Sequence, residues 1–380
     1  METIYLDHAA TSPMHPEVIE EMTKAFQKTF GNPSSIHSTG RQARKVLDDA
    51  RMVFAKAIGA KDTEIIITSG GTEADNSAIF GVAKALQSKG KHIITTKIEH
   101  HAVLNACEEL EKDGFEVTYL PVDETGRISI EEFKKELRED TILATIMYGN
   151  NEVGTVQPIA QIGEILKDHQ AVFHTDAVQA FGIEKLNVDE LLVDCLSVSS
   201  HKLNGPKGIG FLYLRTGTPL TQTFFGGSQE KKRRAGTENV PAAVGFAKAV
   251  EIVQQQMDAK RQQYENFRKI FLEVLDRENI EYKVNGNEQY HLPHVLNISF
   301  KGMDVESFLV NLDMAGVYAS SGSACTAGSI DPSHVLVAMF GNDSEVLRNS
   351  IRFSFGLGLT EEMIQSAAEH TAKIVKRLAN

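Results

Sequence analysis

Between about residues 62 and 215, short β-rich apolar runs alternate with stretches of helical pattern, and this alternation leaves few architectures open. The runs are Glu64–Thr68, His92–Thr96, Phe115–Leu120, Ile142–Met147, Ala171–His174, Cys195–Val198 and Gly210–Leu214. Helical patterns such as Ala102–Glu111 and Ile130–Leu137 follow several of them. Strand–helix–strand alternation predicts an α/β fold, a mostly parallel sheet with helices on both faces. At 380 residues the chain exceeds one compact core, so a second, smaller domain is expected. Residues 246–278 contain neither Gly nor Pro. As a single helix they span roughly 50 Å at 1.5 Å per residue and link two bodies. Beyond them lie expected strands at Leu296–Phe300, Val317–Ala319 and Ile351–Phe355 and a helix at Asp304–Met314. A closing helix is N-capped by Thr360, with an apolar stripe from Ile364 to Leu378. This second part has α+β character. The expected division is a large domain at 15–257 and a small domain made of 1–14 and 258–380.

Charge and cysteine content exclude several functions. Net charge is −12, from 39 basic and 51 acidic residues, which speaks against direct binding of nucleic acid. The basic cluster Lys231–Arg234 beside Gly226-Gly227 reads as a solvated loop. The start, METIYLDHAATSP, lacks the basic and apolar regions of a signal peptide, and no apolar run approaches the ~20 residues of a membrane helix. Three cysteines without a CxxC pair predict a reducing, cytoplasmic setting rather than a disulfide scaffold.

In parallel α/β sheets ligands sit at the carboxyl ends of the strands, and here the chemistry collects at those ends. Gly70-Gly71-Thr72 follows the first run and enters a helix, an arrangement that cradles an anion. His100 follows the second run and Asn151 the fourth. Asp176 ends an apolar strand, where a carboxylate needs a cationic or N–H partner. Lys202 ends the next strand, 26 residues beyond Asp176, with Ser199 and His201 beside it. A lysine there is a candidate Schiff-base amine, because its pKa shifts readily on desolvation. Together these ends supply what pyridoxal 5'-phosphate needs: an amine for the aldehyde, a carboxylate for the pyridine nitrogen, a helix N-terminus for the phosphate and a flat ring for its face. A rival reading takes His174, Asp176, His201 and His100 as ligands of a metal-dependent hydrolase, which leaves Lys202 and the glycine cradle unused.

The motifs YLDHAAT, FGNPSSIHSTG, TSGGTEADN, IEHHAVLN, NNEVGTVQPI, HTDAVQ, SSHKLNGPKGIG, RAGTENV, SSGSACTAGS and SIRFSFG occur in order along nearly the whole chain. In them the chain resembles the class V pyridoxal phosphate enzymes of the aspartate aminotransferase fold, specifically the NifS/IscS-type cysteine desulfurases. The resemblance implies conversion of L-cysteine to L-alanine. Lys202 is then the residue that binds the cofactor aldehyde and moves the Cα proton, and His100 stacks on the ring and also handles protons as a catalytic residue. Asp176 pairs with the pyridine nitrogen and Gln179 with the ring hydroxyl. Gly71, Thr72, Ser199 and His201 hold the phosphate, joined by Thr237 from the other subunit of a homodimer. Arg352, Asn32 and Asn151 hold the substrate carboxylate.

Cys325 matches the family's nucleophile, whose thiolate takes the sulfur as a persulfide and carries it to an acceptor protein, an iron–sulfur scaffold or a tRNA thiolase. Its small-residue surroundings suit a sulfur that must travel. Cys107 and Cys195 are expected to be inert core residues. The chain ends at Asn380, soon after its closing helix, whereas IscS-type members carry a longer tail that helps dock a scaffold; tRNA thiolation is therefore as open as cluster assembly. The nearest rivals are a class V aminotransferase, which needs no Cys325, and a selenocysteine lyase.

Overall fold

The computed structural model describes residues 3–321 and 332–378. Its strands are β1 (Ile4–Tyr5), β2 (Ile65–Thr68), β3 (His92–Thr96), β4 (Glu116–Leu120), β5 (Thr141–Thr145), β6 (Val172–Asp176), β7 (Cys195–Ser199), β8 (Gly210–Leu214), β9 (Tyr282–Asn285), β10 (Val295–Phe300), β11 (Val317–Tyr318) and β12 (Ser350–Ser354). Seven form one sheet in the order β2-β8-β7-β6-β5-β3-β4. The five from β7 to β4 run parallel, while β8 runs antiparallel to both its neighbours. Residues 200–209 alone connect β7 to β8. A parallel return needs a crossover of a dozen or more residues, so this short link reverses the chain. The expected strands are all present to within two residues of their expected bounds.

Side chains alternate across the sheet and fill two layers. One face packs Ile66, Ile93, Cys195 and Leu212 against Ala78, Ile79 and Val82 of the helix Gly71–Leu86. The other packs Phe173, Leu196 and Phe211 against Phe54 and Phe246. The rings of Phe54, Phe211 and Phe246 lie 4.5–5.8 Å apart in stacked and tilted pairs. Cys107 and Cys195 are fully buried, and burial pushes both thiols up, away from the reactive thiolate.

A second core forms where β10 lies between β9 and β12. Leu296, Ile298, Ile351 and Phe353 pack there against Phe267 and Phe271, with Ile364, Ala368 and Ile374 from the closing helix Glu361–Leu378. Leu378, at the end of that helix, is exposed and so departs from the expected stripe. The helix Val240–Arg277 is 38 residues long, starting earlier than expected at an Asn239 cap followed by proline. Its first half buries Phe246, Val250 and Val253 in the first core, and its second half buries Phe267, Phe271 and Leu275 in the second. Ile4 and Leu6 also belong to the second core, where β1 pairs in parallel with β11. No helix among the described residues is long and apolar enough to cross a membrane.

The basic cluster divides in two. Lys231 and Lys232 are exposed, as expected of a solvated loop. Arg233 instead donates to the carbonyls of Thr63 and Ile65, and Arg234 grips Glu73 at 2.7 and 3.1 Å. Glu230, Lys231 and Lys232 all adopt left-handed backbone, with φ of 46°, 57° and 63°. Such a run costs about 1–3 kcal/mol per residue and persists only when its surroundings over-determine it. Buried Glu230 does this: it accepts from Arg51 at 2.7 and 2.8 Å and from the Ile67 N–H at 3.0 Å. Glu230→Ala leaves Arg51 buried without its counter-charge. It is expected to lower stability by about 3–5 kcal/mol in urea unfolding, against a smaller loss for Glu230→Gln.

Candidate active site

The carboxyl ends of β6 and β7 open into a cavity of about 290 Å³. β6 ends on Asp176, and the Val178 N–H donates to its Oδ1 at 2.8 Å. Burial pushes this carboxyl up to about 6, although Val178 and Lys202 pull the other way. After β7, one 3-10 turn at Ser200–Lys202 brings Lys202 over the same cavity. Its Nζ donates to the carbonyls of Ala9 and Ala10 at 2.6 and 2.7 Å.

Opposite these residues the helix Gly71–Leu86 presents its N-terminus. Gly70 sits at φ 155° and ψ −174°, a conformation essentially confined to glycine. A Cβ on Gly71 would lie 2.8 Å from Val178 Cγ2, so only bare backbone fits against this wall. The first N–H groups of a helix have no intrahelical acceptor, and here they stand beside Thr72 and Ser199 on the cavity lining. These donors at the positive end of the helix suit an anion.

His100 caps the helix His101–Lys112 by accepting the Ala102 N–H on Nδ1 at 3.1 Å. Burial, then Lys202, push it down to about 4, so its ring is neutral and carries its proton on Nε2. His201 is likewise pushed down to about 4, by burial and then Lys202, and lies 3.0 Å from Thr11 Oγ1. Arg352 is buried. It donates to Asp7 at 2.7 Å and to the Asn151 carbonyl at 3.0 Å, while its Nε has no partner among the described residues.

Ten of the expected site residues therefore line one cavity: Gly71, Thr72, His100, Asn151, Asp176, Gln179, Ser199, His201, Lys202 and Arg352. Asn32 and Thr237 do not line it, and both are exposed on their own chain. Cys325 lies outside the described residues. Sequence reasoning missed Asp75, which is buried in the lining four residues after Gly71 and so one helical turn along the same face. The signal was only its spacing from Gly71, since Glu73 and Asn76 beside it are polar as well. It also missed Glu99, fully buried, which accepts from Thr96 at 2.7 Å and from the Met147 N–H at 3.0 Å. Burial pushes Glu99 up to about 8 and Asp75 well above its ordinary range. Three carboxyls raised by burial make a surrounding that gains from an N–H or cationic guest.

The metal reading finds no support here. Among the described residues no three His, Cys, Asp or Glu side chains gather as a metal would need. His174 is instead fully buried between Thr145 at 2.8 Å and Ser197 at 2.9 Å.

Fold and site thus define the class: an α/β protein with an aspartate at the end of one parallel strand and a lysine one turn beyond the next, facing a helix N-terminus across one cavity. The chain belongs to the class-V aminotransferase family, whose model matches residues 4–366. It is 60% identical over 378 residues to the protein of Bacillus subtilis (strain 168) named IscS 1, covering 100% of both chains. It is 48% identical over 375 residues to the cysteine desulfurase IscS of Dictyoglomus turgidum, covering 99% of this chain and 95% of that one. A solved structure described as a NifS-like protein matches with a TM-score of 0.92 and 34% identity, covering 100% of both chains.

The site also sets how stability varies with pH. His8, His100 and His201 are held near 4 and His174 and His294 near 3, each chiefly by burial, against an ordinary value of 6.5. The unfolded chain therefore binds more protons below pH 6.5, and stability from these groups is complete above 6.5 and lost as pH falls toward 4. Glu99, Asp75, Asp176 and Asp194, whose carboxyls burial raises, act in the opposite sense and offset part of this slope. Urea midpoints of protein freed of small molecules are expected to rise from pH 4.5 to 6.5, each histidine contributing up to about 1.4 kcal/mol per pH unit and the raised carboxyls subtracting from the total.

Proposed function

We propose that this chain is a cysteine desulfurase that takes the sulfur of L-cysteine onto Cys325 as a persulfide and releases L-alanine. One observation carries the reading: Lys202, Asp176, the helix N-terminus at Gly71-Thr72 and the Arg352 guanidinium meet in a single cavity. The name of the Dictyoglomus turgidum relative supplies the substrate. The donor set fits pyridoxal 5'-phosphate, which when bound draws electrons from the substrate Cα into its protonated ring. Lys202 would hold its aldehyde, Asp176 its ring nitrogen and Gln179 its hydroxyl. Gly71, Thr72, Ser199 and His201 would hold its phosphate, with the neutral His100 ring against its face.

The remaining roles belong to this chain's own residues. Arg352 offers a planar fork for the substrate carboxylate, and Asp7 fixes the orientation of that fork. Lys202, released from its covalent role, moves a proton at the substrate Cα. Asn151 lies beside Arg352 and serves the same carboxylate, and Asn32 joins it. Cys325 receives the sulfur, and an acceptor protein, an iron–sulfur scaffold or a tRNA thiolase, takes it on.

The surface supports a homodimer. Phe30, Ile36 and Phe225 are 81%, 90% and 83% exposed, large apolar side chains that a partner subunit would cover. Thr237 and Asn32 are exposed too, and in a dimer Thr237 completes the partner's phosphate site. The two cores support residues 15–257 as the cofactor-binding unit and 1–14 with 258–380 as the smaller unit that carries Cys325. The two described cysteines, buried and unpaired, suit a reducing cytoplasmic setting.

The purified protein is expected to absorb near ~420 nm and to lose that band in Lys202→Ala. It should sediment as a dimer and form alanine and sulfide from L-cysteine in the presence of a thiol reductant. Cys325→Ala is expected to keep the band and lose sulfide release. A Cys325→Ala protein with undiminished turnover would move the chain to amino-group transfer instead.

A further inference from the structure

The polarity of one buried hydrogen-bond chain is fixed from its end. Gln179 Nε2 lies 2.9 Å from the carbonyl oxygen of Ala9. A carbonyl only accepts, so the amide nitrogen must be the atom on that side. The amide oxygen then faces His294 Nε2 at 3.1 Å, and an oxygen that can only accept requires His294 to donate. His294 is fully buried, and burial, reinforced by His8, Lys202 and Arg352, pushes it down to about 3. A neutral imidazole carries one proton, which is therefore on Nε2, and Nδ1 is left as a bare acceptor. That Nδ1 is buried and has no partner among the described residues.

His294 lines a second, smaller cavity that backs onto the first and shares Gln179 and Lys202 with it. His8 lines the same chamber, and its Nδ1 is also buried without a described partner. The chamber measures about 30 Å³. That is room for a water, which can donate to the bare Nδ1 of His294 and hydrogen-bond the Nδ1 of His8 as donor or acceptor. The chamber is tightly built: a Cβ on Gly356 would lie 2.0 Å from His8 Nδ1.

We propose that His294 is a positioning residue: its Nε2–H locks the Gln179 amide with the NH2 group toward Ala9 and the front cavity, and together with His8 it holds an ordered water behind that amide. The locked amide keeps its second N–H for an acceptor in the front cavity. The use of that N–H rests on the front cavity being the pyridoxal phosphate site; the tautomer and the water do not.

The native holoenzyme labelled with ¹⁵N-histidine gives the first test. At pH 7, the imidazole signals that vanish in His294→Gln are expected to show a protonated Nε2 and a bare Nδ1. A protonated Nδ1, or a charged ring, overturns the proposal. A crystal structure is expected to place one water within hydrogen-bond reach of His8 Nδ1 and His294 Nδ1, and a dry chamber overturns that half. In the second arm His294→Leu removes the donor, whereas His294→Gln keeps one. His294→Leu is expected to retain pyridoxal phosphate about 3- to 10-fold more weakly and to shift its absorption, with His294→Gln close to native. A His294→Leu protein with native affinity and spectrum overturns the positioning role. If the protein binds no pyridoxal phosphate at all, the proposed function fails while the tautomer measurement still decides the lock.

Discussion

The carbonyl oxygen of Ala9 is the contact on which the rest of the site depends. It accepts from Lys202 Nζ and from Gln179 Nε2, two side chains carried by the large sheet and its loops. Ala9 itself belongs to the N-terminal segment, whose Ile4 and Leu6 are packed in the other core. Two residues earlier Asp7 accepts from Arg352, which stands on β12 of that second core. A stretch of four residues therefore ties the lysine, the amide and the guanidinium to one frame. Buried cationic and amide groups without acceptors would each forfeit solvation, so the segment both satisfies these groups and sets their positions.

The sheet decides what can meet. β6 and β7 run parallel with Asp176 opposite Ser197, so residues that follow their carboxyl ends emerge on one edge. The helix Gly71–Leu86 reaches the same edge with its N-terminus first, as the return path from β2 requires. An anion cradle and an amine–carboxylate pair are thus consequences of strand direction, and bare backbone at Gly70 and Gly71 keeps the approach open. The antiparallel β8 closes this arrangement because its link from β7 is too short for a crossover.

Neutrality is the second theme of the site. His100, His174, His201 and His294 are all kept uncharged by burial, while Asp75, Asp176 and Glu99 are pushed toward their protonated forms. Among these neutral groups the charges that remain in the cavity, Lys202 and Arg352, are the ones that orient a polar guest. The protonation of each ring is then set by its partner rather than by solvent, as the Ala102 N–H does for His100 and the Gln179 amide for His294.

The sequence alone determined the alternating strands and helices, the long Gly-free helix, and the strand ends that place Lys202, Asp176 and Gly71, because periodicity and strand-end chemistry are local properties, while Arg352 was legible only through the family resemblance. It left the helices Pro16–Lys28 and Ser38–Ala57 unread, since His15 and His37 cap them through Nδ1 in place of the usual small polar residues. β9 also escaped, being short and polar on one side. Only the tertiary structure decided that Arg233 and Arg234 are anchors rather than solvated charges, that Asp75 lines the site with Glu99 buried behind Met147, and that His8 and His294 share a chamber behind Gln179. The reason is that a hydrogen-bond partner or a burial penalty depends on which distant segments the fold brings within about 3 Å, and no local pattern records that distance.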